Sequence, residues 1–191
     1  MPLTLQNIMD ESDIRVPNAF SAAQKIDWLN EINFEFFDIV KVPKSTSVTL
    51  DGTASAFTVP ADVREKNVRK VVVGSNYYRS MIYEDITAAF NYYTIDETTN
   101  KINFTPKPPA GTAVVVYDSL GSTTFVSTAL TVNPDAPPEY HRLYVLGLCL
   151  RMAKAMNDVA LANNYETDYK NSLAVAQQNY LRGTVTSNTQ Q

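Results

Sequence analysis

The chain has one histidine and one cysteine, residue types that often serve as base and nucleophile in enzymes. His141 and Cys149 lie eight residues apart in a segment with helical periodicity. Eight residues of helix span about 12 Å of rise and about 80° of rotation, whereas the nucleophile and base of a thiol enzyme lie about 3 Å apart. We therefore expect no catalytic pair. The apolar run around Cys149 predicts a buried, inert thiol, and the first-turn position of His141 predicts a polar residue at the surface or an interface.

Sequence motifs for other chemistry are also missing. The chain has no glycine-rich phosphate loop, no HExxH and no GxSxG, and one cysteine excludes both an internal disulfide and a Cys-based zinc site. The acidic pairs Glu84-Asp85 and Asp96-Glu97 fall in predicted turns, where solvated carboxylates are common. We expect no catalytic residue, metal site or cofactor. A glycosidase can hold its two acids far apart in sequence, so a cryptic hydrolase stays an alternative.

Composition indicates a globular protein of one domain, or one domain with a sizeable insertion. The 191 residues are 45% hydrophobic and 19% charged. The N-terminus lacks the basic start and long apolar run of a signal peptide, and no stretch reaches the roughly 20 apolar residues of a membrane span. We expect a protein made in the cytoplasm with no membrane segment.

Charge changes sign along the chain, although the net charge is only −4. Residues 1–40 hold 2 basic and 7 acidic side chains, residues 41–79 hold 7 and 3, residues 80–140 hold 2 and 7, and residues 141–191 hold 5 and 3. Such alternation suits contact between charged protein surfaces better than wrapping of nucleic acid, which needs a concentrated basic face. The one basic cluster, VREKNVRK at 63–70, is either a solvated strand edge or a contact for an acidic partner.

Tyrosines are numerous in the middle of the chain, with Tyr77-Tyr78, Tyr83 and Tyr92-Tyr93 among the 11. Stacking on a sugar or a nucleic acid is one use of such residues. No basic or amide residue accompanies each of them, so a sheet face or a subunit contact is favoured.

Helical periodicity marks both ends of the chain. A short helix from Leu3 to about Asp10–Asp13 is followed by a longer one that starts at a capping box, Ser21 with Gln24, and stops before Pro43. A helix at 139–156 is apolar on almost every side and must be surrounded by others. A last amphipathic helix ends at Gly183, a predicted C-cap.

Residues 45–126 predict about six short strands. Asp51-Gly52 indicates a hairpin between SVTL and SAFTVP, YYTID-ETTN-KINFTP a second hairpin, and VRKVVV and TAVVVYD further strands. The predicted class is α+β: a helical bundle formed by N- and C-terminal helices with an inserted antiparallel β module. We assign 1–43 to the N-terminal helices, 44–134 to the β module, 135–182 to the C-terminal helical hairpin and 183–191 to a flexible tail.

Four passages, in this order, resemble the head-to-tail connector (adaptor, or head completion) proteins of tailed bacteriophages. They are LTLQNIMDESDIRVPNAFSAAQKIDWLNEINFEFF, FTVPADVREKNVRKVVVGSNYY, KINFTPKPPAGTAVVVYDSL and PPEYHRLYVLGLCLRMAKAMNDVALANNYETDYKNSL. The resemblance covers about residues 3–182.

The resemblance implies a structural virion protein without enzymatic activity or cofactor. It would form a homo-oligomeric ring, expected to have twelve copies, under the portal protein at the head-tail junction, after assembly in the host cytoplasm. The ring would extend the channel through which genomic DNA passes without sequence-specific binding during ejection, and would offer a platform to a nozzle, stopper or tail-tube protein. The alternative is a carbohydrate-binding or other tail or baseplate component.

The resemblance also implies a portal interface in the C-terminal segment, expected at Tyr180, Leu181, Arg182, Gly183, Thr184 and Val185. The β module changes from basic in 41–79 to acidic in 80–140, and such surfaces can pair between subunits. The ring or tail interface is therefore expected at Arg64, Lys66, Arg69, Lys70, Tyr77 and Tyr78.

Overall fold

The computed structural model describes residues 2–82, 90–121 and 123–186, without side chains for 182–186. The chain forms two compact units. The helical unit comprises residues up to Lys41 and from Gly121 onward, and the β unit comprises Val42–Leu120. An α+β fold with a β insertion between N- and C-terminal helices is confirmed.

Four helices make up the helical unit: α1 (Leu5–Arg15), α2 (Ala22–Ile39), α3 (His141–Ala155) and α4 (Val159–Thr186). The predicted capping box starts α2, since Gln24 N donates to Ser21 Oγ at 3.3 Å and Ser21 N donates to Gln24 Oε1 at 3.0 Å. A 3-10 turn at Pro138–Tyr140 leads into α3. None of the described helices is long and apolar enough to cross a membrane.

The centre of the helical unit is α3, which packs against α1, α2 and α4. Its buried residues cover nearly the whole circumference, as predicted. Gly147 marks the closest approach: a Cβ at this position would lie 2.9 Å from Tyr169 Cε2 on α4 and 3.0 Å from Ile32 Cδ1 on α2. A larger residue here would push two helices away from the third.

The segment that follows the β unit belongs to the helical unit. Asn30 on α2 donates through Nδ2 to Phe125 O at 3.1 Å and accepts from Phe125 N at 2.7 Å. The amides of Leu5 and Gln6, at the start of α1, donate to carbonyls of residues 132 and 130 at 2.9 and 3.0 Å. Residues 121–134, which sequence analysis assigned to the β module, thus lie in the helical unit, where they accept hydrogen bonds from amides at the start of α1 that have no partner within the helix.

The last helix passes through Gly183 and continues to Thr186, so the prediction of a C-cap at Gly183, with the tail starting there, is wrong. Glycine in a helix interior costs only about 1 kcal/mol relative to alanine. That cost alone does not end a helix.

The β unit is a single seven-stranded sheet in the order β1-β7-β3-β4-β5-β6-β2. The strands are β1 (Pro43–Leu50), β2 (Ala56–Thr58), β3 (Val68–Val73), β4 (Asn76–Ser80), β5 (Asn91–Asp96), β6 (Lys101–Thr105) and β7 (Gly111–Asp118). All described pairs are antiparallel except β4 with β5. The sequence missed β4, which follows β3 after a two-residue turn.

The predicted hairpin between β5 and β6 is confirmed, whereas the one at Asp51-Gly52 is wrong. The turn itself forms: Gly52 has φ +81°, and Asp51 Oδ1 accepts from Thr53 N at 2.7 Å. Its flanking strands pair elsewhere, β1 with β7 over eight residues and β2 with β6. The long register with β7 offers more hydrogen bonds than a three-residue β2 can.

Leu150 and Leu146 provide a matched test of the packing around α3. Leu150 is 5% exposed, whereas Leu146, one turn earlier on the same helix, is only half-buried. We expect Leu150→Ala to lower the free energy of unfolding by about 2–5 kcal/mol and Leu146→Ala by about half of that or less. Urea denaturation of both variants measures the difference. Equal costs, or a cost for Leu150→Ala below about 0.5 kcal/mol, would contradict this packing.

Candidate functional site

The structure gives no support to a catalytic pair formed by His141 and Cys149. Cys149 is fully buried, its Sγ is 4.0 Å from the carbonyl oxygen of Ser12, and burial raises the pKa of the thiol. The prediction that Cys149 is a buried core residue is confirmed.

The prediction that His141 is a surface or interface residue is wrong, because its side chain is only 2% exposed. Leu3 N donates to Nδ1 at 2.9 Å, and Nε2 lies 2.9 Å from Ala136 O, which it contacts as a donor. This pattern suits the neutral Nε2–H tautomer. The ring thus ties the start of α1 to the entry of α3, and both nitrogens are occupied by backbone groups.

Carboxylates give no better candidate. Asp96 is the last residue of β5, and Glu97 begins the exposed turn that follows. Hydrogen bonds from the Thr99 side chain and the Thr98 amide lower the pKa of Asp96. Glu84-Asp85 and Tyr83 lie outside the described residues. Among the described residues no group of three or more His, Cys, Asp or Glu could hold a metal ion.

One buried carboxylate was not foreseen. Glu65 is 6% exposed and accepts hydrogen bonds from Ser80 Oγ and, at 2.8 Å, from Ile95 N. These bonds join the 3-10 turn Glu65–Asn67 to the ends of β4 and β5. Glu65 therefore fixes the parallel strand pair and is a structural group.

The structure brings five of the six residues of the predicted ring or tail interface together. One depression of about 280 Å³ on β3 and β4 is lined by Lys66, Arg69, Lys70, Tyr77 and Tyr78. Arg79, which sequence analysis did not single out, also lines it. We call this surface, formed by Lys66, Arg69, Lys70, Tyr77 and Arg79, the basic face.

A β-bulge explains why the basic face exists. The register of β3 against β7 slips between Val68 and Lys70, so that the extra residue is Arg69. In a regular strand Arg69 and Lys70 would point to opposite sides of the sheet. With the bulge both are exposed, and Val71, the next residue, is buried.

The cations of the basic face differ in their contacts. Arg69 forms an ion pair with Asp118 at 2.6 Å, and the guanidinium of Arg79 lies 3.9 Å from the centre of the Phe90 ring. Lys66 and Lys70 form no ion pair among the residues whose side chains are described. The two lysines are the cations most accessible to a partner.

Tyr78 and Arg64, the two other predicted interface residues, make contacts within the β unit. Tyr78 lines the depression but is only 1% exposed, and its ring packs edge-on against Phe104, 4.8 Å between ring centres. Alternation along β4 explains this, because Tyr77 and Tyr78 face opposite sides of the sheet. Arg64 precedes the 3-10 turn Glu65–Asn67 and donates to Glu97 O in the β5–β6 turn at 3.1 Å.

The predicted portal interface occupies the last turns of α4. Leu181 is 58% exposed, and Tyr180 lies against Tyr140, 6.1 Å between ring centres. Residues 182–185 continue the helix, and their side chains lie outside the described part of the structure. This surface stays a prediction.

The comparison with known families decides the identity. A family model described as SU10 adaptor protein matches residues 3–190, nearly the whole chain. This chain belongs to the SU10 adaptor protein family. A search of curated proteins finds no match.

Membership in the SU10 adaptor family confirms the resemblance to phage head-tail adaptors. The family consists of structural phage proteins and is not an enzyme family. Its members interact with other head or tail proteins and belong to the virion.

Cys149 gives a direct test of the inert core. At mildly alkaline pH we expect its thiol to react with a disulfide reagent at least about 100-fold more slowly in the folded protein than in denaturant, because burial blocks access and raises the pKa. Absorbance of the released thiolate measures the rate. The matched control is Val175→Cys in a Cys149→Ala background, since Val175 is exposed on α4. Equally fast labelling of Cys149 and of the control cysteine in the folded state would contradict the buried position.

Proposed function

We propose that the protein is a head-to-tail adaptor that forms a ring under the portal, extends the DNA channel and provides the platform for tail attachment. The family match over residues 3–190 is the observation that carries this proposal. The ring contains twelve copies matched to the portal, stands at the head-tail junction and assembles in the host cytoplasm. Genomic DNA passes through it without sequence-specific binding.

The structure supports a role in contacts between proteins. The most reactive side chains of the chain are enclosed, since the Cys149 thiol lies in the core and both ring nitrogens of His141 contact backbone groups. The accessible features are a basic face on the sheet and exposed apolar residues on α4. Function in such a protein resides in its surfaces.

A carbohydrate-binding tail component is the alternative, and the positions of the tyrosines disfavour it. Tyr78, Tyr92 and Tyr93 are buried in the sheet, and among the tyrosines of this cluster that are described only Tyr77 is exposed. A sugar-binding platform needs several exposed rings side by side. A hydrolase is disfavoured because Asp96 and Glu97 are engaged with the turn and with Arg64.

The end of α4, residues 180–185, contacts the portal, and the β unit faces a neighbouring copy or a nozzle, stopper or tail-tube protein. Exposed Leu181 supports the first assignment, because an apolar side chain on a terminal turn gains by burial in a partner. A single helical end offers a small contact area. Many copies in a ring bind strongly together even when each copy binds weakly.

The mass of the protein with and without the portal tests the proposed function. We expect a low copy number for the purified protein alone and a discrete ring on the portal, because twelve weak contacts act together only on a matched template. Native mass spectrometry measures both states. A mass that does not change when portal is added would contradict the proposal.

Truncation tests the portal contact at the end of α4. Deletion of residues 183–191 removes the last turn of the helix and everything after it. We expect a loss of portal binding of at least about tenfold with an unchanged circular dichroism spectrum, since avidity multiplies a small loss in each copy. Deletion of 187–191 alone is the matched control, because it leaves α4 intact. If the protein that lacks residues 183–191 binds the portal with wild-type affinity, the portal-binding surface lies elsewhere.

A further inference from the structure

One face of α2 is exposed and mostly acidic. Asp27, Glu31, Phe34 and Asp38 are exposed, and they fall within about 60° of the helix circumference at 100° per residue. We call this surface the α2 face. The opposite side of the same helix, with Leu29, Ile32 and Phe36, is fully buried in the helical unit.

Two of the three carboxylates on the α2 face have a basic neighbour. Glu31 pairs with Arg151 at 3.2 Å, and Asp38 contacts Lys41 at 3.5 Å. The Asp38 side chain nevertheless remains 87% exposed. Asp27 has no ion pair among the residues with described side chains. The face therefore keeps a negative excess.

Phe34 gives the α2 face an apolar centre. Its side chain is 52% exposed between carboxylates one turn away on each side, although phenylalanine gains from burial. An aromatic residue surrounded by charged residues is the arrangement of a protein contact, in which the ring is buried and the charges set the orientation.

The basic face of the β unit has the complementary properties. Lys66 and Lys70 provide charges without a partner among the described residues, and Tyr77, 50% exposed, provides an aromatic surface beside them. Both faces are exposed within the chain. A molecule with two different, complementary surfaces associates head to tail, and this association closes into a ring when the rotation fits.

We propose that the α2 face of one copy packs against the basic face of the next copy. This inference rests on the proposed ring and names the surfaces that join its subunits. A second copy fits better than nucleic acid, because each copy brings one acidic and one basic face and every contact in a closed ring is then matched. The ion pair of Arg69 with Asp118 also leaves the basic face with fewer cations for phosphates.

Charge reversal on either side tests the contact. In the basic-face variant, Lys66→Glu with Lys70→Glu, the two most accessible cations become anions, so that glutamates oppose the acidic α2 face. In the α2 variant, Asp27→Lys with Asp38→Lys, both faces are basic; Glu31 is left unchanged because it pairs with Arg151. We expect each variant alone to lose ring assembly on the portal by about tenfold or more, because like charges then face each other. High salt should reduce the loss by screening.

Mixing the two variants separates a direct contact from general damage. The acidic faces of one then meet the basic faces of the other, so an equimolar mixture should form rings in which the variants alternate. A single chain with all four substitutions carries the new lysines on the α2 face and the new glutamates on the basic face. These side chains attract each other between copies, so this chain should also assemble. Lys101→Glu with Lys107→Glu is the matched control, since both lysines are exposed on the β unit away from the basic face. We expect this control to assemble like the wild type.

The outcomes distinguish this contact from the proposed function. If the wild-type protein forms no ring on the portal, the proposed function fails. If the wild type forms a ring and the two variants do so equally well, or if neither the mixture nor the fourfold variant recovers, the assigned surfaces are wrong. A basic-face variant that still forms rings but loses binding to duplex DNA would identify nucleic acid as the occupant and overturn the proposal.

Discussion

The fold depends on the burial of α3. This helix is apolar on nearly every side, and α1, α2 and α4 must surround it because water on any side would expose leucine, valine or methionine. Gly147 allows α2 and α4 to approach α3 together. The N- and C-terminal parts of the chain are thereby held in one unit, and the 79 residues of Val42–Leu120 become an insertion with a core of its own.

Buried polar side chains of this protein form hydrogen bonds that connect its helices, turns and strands. His141 joins the start of α1 to the entry of α3, Asn33 joins α2 to Asp135 and Tyr144, and Glu65 joins a turn to two strands. Each is satisfied by hydrogen bonds, as a buried polar group requires. Because the interior uses these groups for structure, the side chains left for function are the charged and aromatic residues of the surface. This distribution is what an adaptor between other proteins needs.

Local signals in the sequence predicted the elements well. The capping box of Ser21, the apolar circumference of α3 and the β5–β6 turn each act within a few residues, so the sequence alone reveals them. The prediction errors occurred where contacts between residues far apart in the sequence determine the structure. Asp51-Gly52 forms a turn without a hairpin because β1 pairs with β7. His141 is buried, and its Nδ1 accepts a hydrogen bond from the amide of Leu3, 138 residues away. The basic face was foreseen as a cluster, but its geometry depends on the bulge at Arg69, which pairing with β7 reveals.

The central claim is that this SU10 adaptor family member works as a ring between portal and tail. Electron cryo-microscopy of the virion tests it most directly, because a reconstruction of the head-tail junction shows which chain lies below the portal. The account predicts density for the helical and β units of this chain, repeated around the channel axis, with the end of α4 against the portal. A junction filled by another protein, with this chain at a tail fibre, at the baseplate or absent from the particle, would contradict it.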